Sequence, residues 1–297
     1  MRFDTHGRIK CGTVSTPDID AALADYRDLL GLEVVDDAPV GEALAASWGA
    51  PASARQRAVL LQPRSGAASF LRLVEAPLHP DFRPTRTFGW AAFELTVKGV
   101  YDLAERVEGS GFEIIGPPKP IEGLPYFVPM QVIGRGGEML YFNEVAMDTP
   151  SSDLPKAQSD IDHIFIVILA TPDREGSVRH LKERLKLDEG GSYTLNYTMI
   201  NKAFGLPDGT QSTITMVQNG RLPIVEVDGY PEAATPRAAH QGMLPPGCAM
   251  VTLAVDSLDL DLDFIGAPQR RDGPLYAGRR VATARGSAGE LIELIEL

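Results

Sequence analysis

Trp48-Gly49-Ala50-Pro51 is repeated along this chain as Phe204-Gly205-Leu206-Pro207, at an offset of 156 residues (48 to 204). Ile115-Gly116-Pro117-Pro118 returns as Ile265-Gly266-Ala267-Pro268, at an offset of 150 residues (115 to 265). Internal repeats at nearly constant offsets indicate that one supersecondary unit has been duplicated. The repeats predict four units in the order A-B-A-B, so each position in one half can be compared with its counterpart in the other half.

The first unit runs from about Arg8 to Ala76, and the third runs from Ile161 to Gly229. Each opens with an apolar strand segment that is followed by a Thr-Pro-Asp triplet, at Thr16-Pro17-Asp18 and at Thr171-Pro172-Asp173. An amphipathic helix pattern comes next, and short apolar segments then predict three more strands. Each unit is therefore predicted to contain one strand, one helix and three further strands.

The two predicted helices end at different residue types. Gly31 follows the first helix, and we expect it to cap that helix in the left-handed conformation that glycine adopts easily. Lys186 stands at the equivalent place in the third unit, which predicts a different ending for that helix.

The second unit, Gly89 to Glu144, and the fourth unit, Gly247 to Leu297, share the same plan. Their offset falls from 158 (89 to 247) before the helix region to 150 (115 to 265) after it, so the fourth unit lacks eight residues and its helix is expected to be a stub. The sequence thus predicts an N-terminal domain over residues 1–147, a polar linker over residues 148–160 and a C-terminal domain over residues 161–297.

The bulk composition excludes several classes of protein. With 28 basic and 40 acidic residues the formal net charge is −12, which disfavours a nucleic-acid partner. Cys11 and Cys248 are the only cysteines, which indicates a reducing compartment and no cysteine-rich zinc site. The start of the chain, Met1 to Lys10, is polar, and no apolar run approaches the length needed to cross a membrane. These features predict a soluble, cytoplasmic protein.

Four βαβββ units in tandem resemble the vicinal oxygen chelate superfamily, which includes glyoxalase I, bleomycin-binding proteins and extradiol dioxygenases. The resemblance is carried by Thr16-Pro-Asp-Ile-Asp20, by Tyr26-Arg-Asp-Leu-Leu-Gly31-Leu and by Gly289-Glu-Leu-Ile-Glu-Leu294. It implies an α+β fold in which the four tandem modules pair, each with its neighbour along the chain, into two half-open barrel domains. A homodimer is a further expectation.

The resemblance also implies where a metal would bind, because each module offers one residue from its first strand and one from its last strand. In the first half these residues are Cys11, Arg72, Ala92 and Tyr141. Since arginine stays protonated and alanine has no donor atom, the N-terminal domain is expected to be metal-free. In the second half they are His163, Glu226, Met250 and Glu293. His163, Glu226 and Glu293 would suit one divalent metal ion (Fe, Mn, Zn or Ni), whereas the thioether of Met250 departs from the His or Gln of the family.

Two functions follow as hypotheses. The first is a divalent-metal-dependent enzyme, either a glyoxalase-like lyase or isomerase or an extradiol-type dioxygenase, acting on a small aromatic or enolisable substrate with vicinal oxygens. Glu226 or Glu293 would then transfer protons in the C-terminal cleft. The alternative is a metal-free protein that binds small molecules for drug sequestration or sensing, with His163 hydrogen-bonded to Glu293.

Further residues are expected near the substrate. The segment that should line the cleft contributes Tyr193, Asn196 and Tyr197, and Met250 would form part of its wall. His240 lies ten residues before Met250 in a loop, so it is a candidate for a second imidazole at the metal.

Overall fold

The structure, a computed structural model, describes residues 9–297. The first unit contains strands β1 (Ile9–Thr16), β2 (Glu33–Pro39), β3 (Arg57–Gln62) and β4 (Phe70–Glu75), and helices α1 (Ile19–Leu23), which a π-helical turn continues over Ala24–Leu29, and α2 (Glu42–Ser47). The second unit contains β5 (Gly89–Val97), α3 (Val100–Val107), β6 (Glu113–Gly116), β7 (Phe127–Ile133) and β8 (Met139–Val145).

The second half of the chain repeats this plan. The third unit contains β9 (Ile161–Thr171), α4 (Arg174–Leu185), β10 (Asp188–Asn196), α5 (Thr198–Phe204), β11 (Gln211–Asn219) and β12 (Leu222–Gly229). The fourth unit contains β13 (Gly247–Val255), β14 (Gln269–Arg271), β15 (Arg279–Arg285) and β16 (Leu291–Glu296). Residues 256–268, all of them within the described part of the chain, form no helix, which is consistent with the eight residues that this unit lacks.

Within residues 9–297, sixteen strands form two curled sheets of eight. The first sheet has the order β14-β15-β16-β13-β1-β4-β3-β2 and joins the first unit to the fourth. The second sheet has the order β10-β11-β12-β9-β5-β8-β7-β6 and joins the second unit to the third. The predicted α+β fold of paired modules in two half-open barrels is therefore confirmed.

The predicted choice of partners is wrong, because the units do not pair with their neighbours in the order one with two and three with four. Strand β1 pairs with β13 in antiparallel fashion, and β5 pairs with β9 in the same way. Residues 148–160 consequently connect two units of one sheet, and the chain crosses between the sheets at residues 76–88 and 230–246. The domains predicted over 1–147 and 161–297 each contribute half of both sheets.

One apolar core lies between the convex faces of the two sheets. It includes Leu71 and Leu73 of β4 and Ile292 and Leu294 of β16 from the first sheet, together with matching residues of the second sheet: Phe93, Leu95, Leu140, Phe142, Val167, Leu169, Val225 and Val227. Gly12 lies at this contact, where an added Cβ would come 2.6 Å from the ring of Phe93. Because successive strand residues point to opposite faces, the residues between these core residues point into the two concave clefts.

The helix ends show one confirmed prediction and one that is wrong. Gly31 has φ 77° and so caps its helix in the left-handed region, as expected. Lys186 has φ 57° and gives α4 the same type of ending, although a lysine occupies this position. The third unit therefore has the same left-handed helix cap as the first unit, although the residue at this position is lysine rather than glycine.

Replacing Lys186 by glycine is expected to raise the free energy of unfolding by about 1 kcal/mol, since a residue with a Cβ is strained in this conformation. Gly31→Ala is the matched reverse change and should lower it by a similar amount; an added Cβ there meets only the Arg64 side chain, at 3.7 Å. Urea denaturation of both variants measures the effect. Equal stability of Lys186→Gly and the parent would contradict the prediction.

Residues 9–297 contain no helix with the length and apolar character that a bilayer crossing requires. The polar stretch at residues 1–8 lies outside the described residues.

Candidate functional site

The concave face of the first sheet forms a cleft between the first and fourth units, which we call the first cleft. Thr13 of β1 is in register with both Arg72 of β4 and Met250 of β13, and Thr252 is in register with Glu293 of β16. All five residues are buried. They alternate with residues of the shared core, so their side chains lie on the concave side.

The carboxylate of Glu293 lies at the floor of the first cleft and is fully buried. Its Oε1 accepts hydrogen bonds from Trp48 Nε1 at 2.8 Å and from the Tyr276 hydroxyl at 2.9 Å. Its Oε2 accepts from the Thr252 hydroxyl at 2.7 Å and from Arg72 Nη2 at 3.2 Å. Four donors, one of them charged, therefore satisfy a carboxylate that would be costly to bury alone.

Arg72 supplies the positive charge of this network. Its Nε and Nη2 donate to the Thr13 hydroxyl at 3.0 and 2.9 Å, and its Nη1 donates to the Tyr276 hydroxyl at 2.7 Å. The guanidinium carbon lies 4.5 Å from the centre of the Trp48 ring. Burial by itself would lower the pKa of Arg72, but Tyr276 and Glu293 raise it above its usual value, so the guanidinium keeps its charge.

The donor set of the first cleft does not suit a divalent cation. Both oxygens of Glu293 are engaged by the protein's own donors, and the adjacent guanidinium of Arg72 repels a cation. Burial raises the pKa of the Cys11 thiol to about 12, so that sulfur is protonated and is not a thiolate ligand. Met250 adds only a thioether, which is a poor ligand for a hard ion.

The second sheet has a corresponding cleft between the second and third units, which we call the second cleft. Ile168 of β9 is in register with Ala92 of β5 and with Glu226 of β12, and Glu94 is in register with Tyr141 of β8. Each of these residues alternates with residues of the shared core. Their side chains therefore lie on the concave side of the second sheet.

The polar residues of the second cleft form two hydrogen-bonded groups. The Tyr141 and Tyr197 hydroxyls are 2.6 Å apart, and the Tyr197 hydroxyl lies 3.5 Å from Glu226 Oε1, to which it donates. Asn143 Nδ2 donates to Glu94 Oε2 at 2.5 Å. Tyr197 comes directly before α5, so the helix that covers the cleft also brings this phenol to the carboxylate.

Burial raises the pKa values of the carboxyl groups in the second cleft. The pKa of Glu226 is raised to about 7. The pKa of Asp228 is well above its usual value because of burial and then of the neighbouring Glu226, and the pKa of Glu94 is well above its usual value for the same two reasons. Near neutral pH this cleft therefore holds protonated as well as ionised carboxyl groups.

The predicted metal ligand His163 lies away from both clefts. Its Nδ1 is 3.2 Å from Asp162 Oδ1, and Asp162 also accepts a hydrogen bond from Ser65 in the loop before β4. The residue of β9 that faces Glu226 is Ile168, five positions further along the strand, which is about 16 Å at the usual rise per residue. The expected coordination of one metal by His163 and Glu226 is therefore wrong.

The other predicted pair of ligands is also separated. Glu226 lies in the second sheet and Glu293 lies in the first, and the apolar core packs between the two convex faces. The two carboxylates consequently point in opposite directions, into different clefts. The predicted His163–Glu293 hydrogen bond is absent too, because all four donors to the described Glu293 carboxylate are other residues. Within residues 9–297, no three His, Cys, Asp or Glu side chains lie close enough together to hold a metal ion.

The predicted substrate-binding residues are likewise divided. Tyr197 lies in the second cleft, whereas Met250 belongs to the first barrel. Tyr193 is 46% exposed on β10, and the exposed Asn196 accepts a hydrogen bond from Asn201. His240 packs against His79, with ring centres 4.8 Å apart, and its Nε2 lies 3.2 Å from the Leu78 carbonyl oxygen, so it supplies no second imidazole to a cleft.

Several residues of the two clefts were missed as functional candidates. In the first cleft they are Trp48, Thr252 and Tyr276, and in the second they are Glu94, Asn143 and Asp228. One signal could have corrected the alignment of His163. The Thr-Pro-Asp triplets give an offset of 155 (16 to 171), which aligns Ile168 rather than His163 with the cleft residue Thr13.

Comparison with known proteins agrees with this fold. Residues 8–128 match the family model of the Glyoxalase/Bleomycin resistance protein/Dioxygenase superfamily. Glyoxalase I from Zea mays superposes with a TM-score of 0.63 at 16% identity, covering 97% of this chain and 92% of that chain. A candidate dioxygenase from Bacillus subtilis superposes with a TM-score of 0.60 at 11% identity, covering 99% of this chain and 86% of that chain.

No curated protein matches this sequence. At identities this low the structural likeness shows the fold alone, while the family match covers the first unit and part of the second. The resemblance found in the sequence is confirmed: residues 8–128 belong to the glyoxalase/bleomycin resistance protein/dioxygenase superfamily, and the whole chain has the vicinal oxygen chelate fold in a four-module form.

Proposed function

We propose that this protein binds a small molecule in the first cleft without a metal ion, which corresponds to the second of the two functions that the sequence suggested. The observation that carries this proposal is the buried ion pair of Arg72 and Glu293. In the superfamily pattern both positions would face a bound metal. Here they neutralise each other, and Trp48, Thr252 and Tyr276 complete the network.

A cavity of about 100 Å³ opens above this network. Its wall is mainly apolar and is formed in large part by Val40, Leu44, Trp48, Leu60, Leu275 and Tyr276. An engineered cavity of about 150 Å³ in another protein is large enough to bind benzene. The cavity here is smaller, so it suits a ligand with at most one ring.

The polar groups around the cavity favour an uncharged ligand. The charge of Arg72 is already balanced by Glu293, and Asp36 and Asp272 in the cavity wall disfavour an anion. The Tyr276 oxygen accepts one hydrogen bond from Arg72, so its second lone pair is able to accept from a ligand hydroxyl. A neutral phenol or catechol combines the required size, ring and donor.

We expect catechol to bind the purified protein with an affinity that EDTA does not change, and we expect elemental analysis to find only substoichiometric metal. Tyr276→Phe should weaken catechol binding by about tenfold, which corresponds to the loss of one hydrogen bond. Tyr126→Phe changes the counterpart of Tyr276 in the second unit and should leave the affinity unchanged. Isothermal titration calorimetry measures both variants.

Two results would overturn the proposal. One is a stoichiometric metal ion whose removal abolishes catechol binding, which would restore the metal-dependent function. The other is equal catechol affinity in Tyr276→Phe and the parent, which would place the ligand elsewhere.

A further inference from the structure

The second cleft differs from the first because none of its described carboxyl groups is paired with a positively charged side chain. Arg72 in the first cleft and Glu226 in the second occupy equivalent register positions, opposite Thr13 and Ile168 respectively. The first cleft thus contains the carboxylate of Glu293 together with the guanidinium of Arg72 that pairs with it. The second contains Glu94, Glu226 and Asp228, and within residues 9–297 none of these three carboxyl groups has an ion pair with lysine, arginine or histidine.

Two buried oxygen atoms in the second cleft are also without a hydrogen-bond donor. They are Oδ1 of Asn143, a residue with 0% exposure, and Oδ1 of Asp228, a residue with 3% exposure. Asn143 follows Tyr141 by two residues on β8, so both side chains point into the cleft. Buried acceptors of this kind are rarely left unpaired, which points to a ligand that brings donors.

The cleft offers access and an aromatic surface beside these acceptors. Glu226 is only partly buried, and it lies next to the hydrogen-bonded phenols of Tyr141 and Tyr197. Aromatic faces attract alkylammonium groups, and carboxylates accept their hydrogen bonds. We propose that the second cleft binds a small organic cation, a protonated amine whose ammonium group is held by Glu226 and Asp228 and whose carbon skeleton packs on Tyr141 and Tyr197.

An organic cation fits this cleft better than an inorganic one. A metal ion would need at least three ligands converging on one point, and residues 9–297 include no such group of His, Cys, Asp or Glu. A primary ammonium has three donors, so it can bond at once to Glu226 and Asp228, which lie two residues apart on the same face of β12. This inference is independent of the ligand proposed for the first cleft, because the two clefts lie on opposite sides of the shared core.

The titration state of the cleft gives the proposal a distinctive signature. The titratable groups that face Glu226 are Glu94 on β5, Tyr141 on β8, Tyr197 before α5 and Asp228 on its own strand. Burial raises the pKa of Glu226 to about 7, so a bound cation should drive out protons that the empty cleft retains. Binding should therefore release protons near neutral pH.

The test is calorimetric titration of the full chain with phenethylamine, and with 2-phenylethanol as a neutral analogue of the same size. We expect the amine to bind at least about tenfold more tightly than the alcohol, as a charge-assisted hydrogen bond implies. Repeating the titration in buffers with different ionisation enthalpies should show proton release for the amine alone. Glu226→Gln and Asp228→Asn should each weaken amine binding by about tenfold or more.

Glu113→Gln is the matched control, because it removes an exposed carboxylate from the edge strand β6 of the same sheet and should leave the affinity unchanged. Equal binding of amine and alcohol, no saturation by amine below about 10 mM, or unchanged affinity in both cleft variants would overturn the proposal. Displacement of the amine by stoichiometric Mn²⁺ would also overturn it, in favour of a metal ligand. Thermal unfolding of the two variants verifies that they remain folded.

Discussion

Replacing Arg72 by methionine is expected to lower the free energy of unfolding by about 3–5 kcal/mol, because the buried carboxylate of Glu293 loses the charged partner with which it is paired. The side chains of Arg72 and Glu293 are 6% and 0% exposed, and Nη2 lies 3.2 Å from Oε2. Methionine keeps much of the length of arginine, so the packing against Trp48 is largely retained. Urea denaturation at neutral pH measures the loss.

A double-mutant cycle separates this electrostatic effect from packing. Glu293→Gln removes the buried negative charge, so the double variant Arg72→Met/Glu293→Gln should regain most of the stability that Arg72→Met loses. The exposed pair of Arg55 and Glu42, with side chains 82% and 71% exposed at 2.7 Å, is the control. Arg55→Met should cost less than about 1 kcal/mol. Equal losses for Arg72→Met and Arg55→Met would show that the buried network does not hold Glu293 as described.

The fold was predictable from the sequence because its signals are local and repeated. The Thr-Pro-Asp triplets lie directly after β1 and β9, and in both units the aspartate caps the helix that follows, Asp18 for α1 and Asp173 for α4. Repetition of such a signal identifies the unit without any knowledge of its partners. The shortened connection in the fourth unit was visible in the same way, from a change of offset.

The pairing of the units was not predictable in this way. The contact of β1 with β13 joins residues that are about 240 positions apart, such as Thr13 and Met250. Four similar units present similar edges, so the sequence pattern allows either neighbouring pairs or the observed nested pairs. The choice depends on the packing of complete sheets, for which Gly12 against Phe93 is one example.

The prediction of the candidate site depended on how the units were expected to pair, and so did the errors in that prediction. Arg72 and Glu226 were correctly recognised as counterparts, but assigning Arg72 to an inactive half hid its ion pair with Glu293. His163 was then placed at the position that Ile168 occupies, five residues further along β9. A charged residue within an apolar strand was a more reliable signal than the alignment of the repeats, because a buried charge needs a partner to compensate it.

The same buried carboxyl groups predict an unusual dependence of stability on pH. Burial raises the pKa values of Glu226, Glu138 and Glu290 to about 7 each, above the ordinary glutamate value of 4.5. Between these two values the unfolded chain releases protons that the folded chain retains. Stability therefore falls as the pH rises from about 4.5 to about 7, which is opposite to the behaviour of a salt-bridged carboxylate.

At acidic pH the protein loses stability through a different residue, Asp162. Hydrogen bonds from His163, the Gln158 amide and Ser65 lower the pKa of Asp162 to about 2, against the opposing effect of its burial. Its contribution to stability is present above about pH 4 and is lost as the pH falls towards 2. The two effects together place the maximum of stability near about pH 5.

We expect the ligand-free protein to lose roughly 3–6 kcal/mol of unfolding free energy between about pH 5 and about pH 8. Urea denaturation at a series of pH values, with a constant dependence on urea concentration, measures the curve. Glu226→Gln should make the slope shallower, since it removes one of the carboxyl groups whose pKa is raised in the folded protein. The exposed Glu113→Gln should leave the slope unchanged. A stability that rises or stays level over this range would mean that the buried carboxyl groups ionise in the folded protein as they do in water, and Glu226 in the second cleft would then retain no proton for a cation to displace.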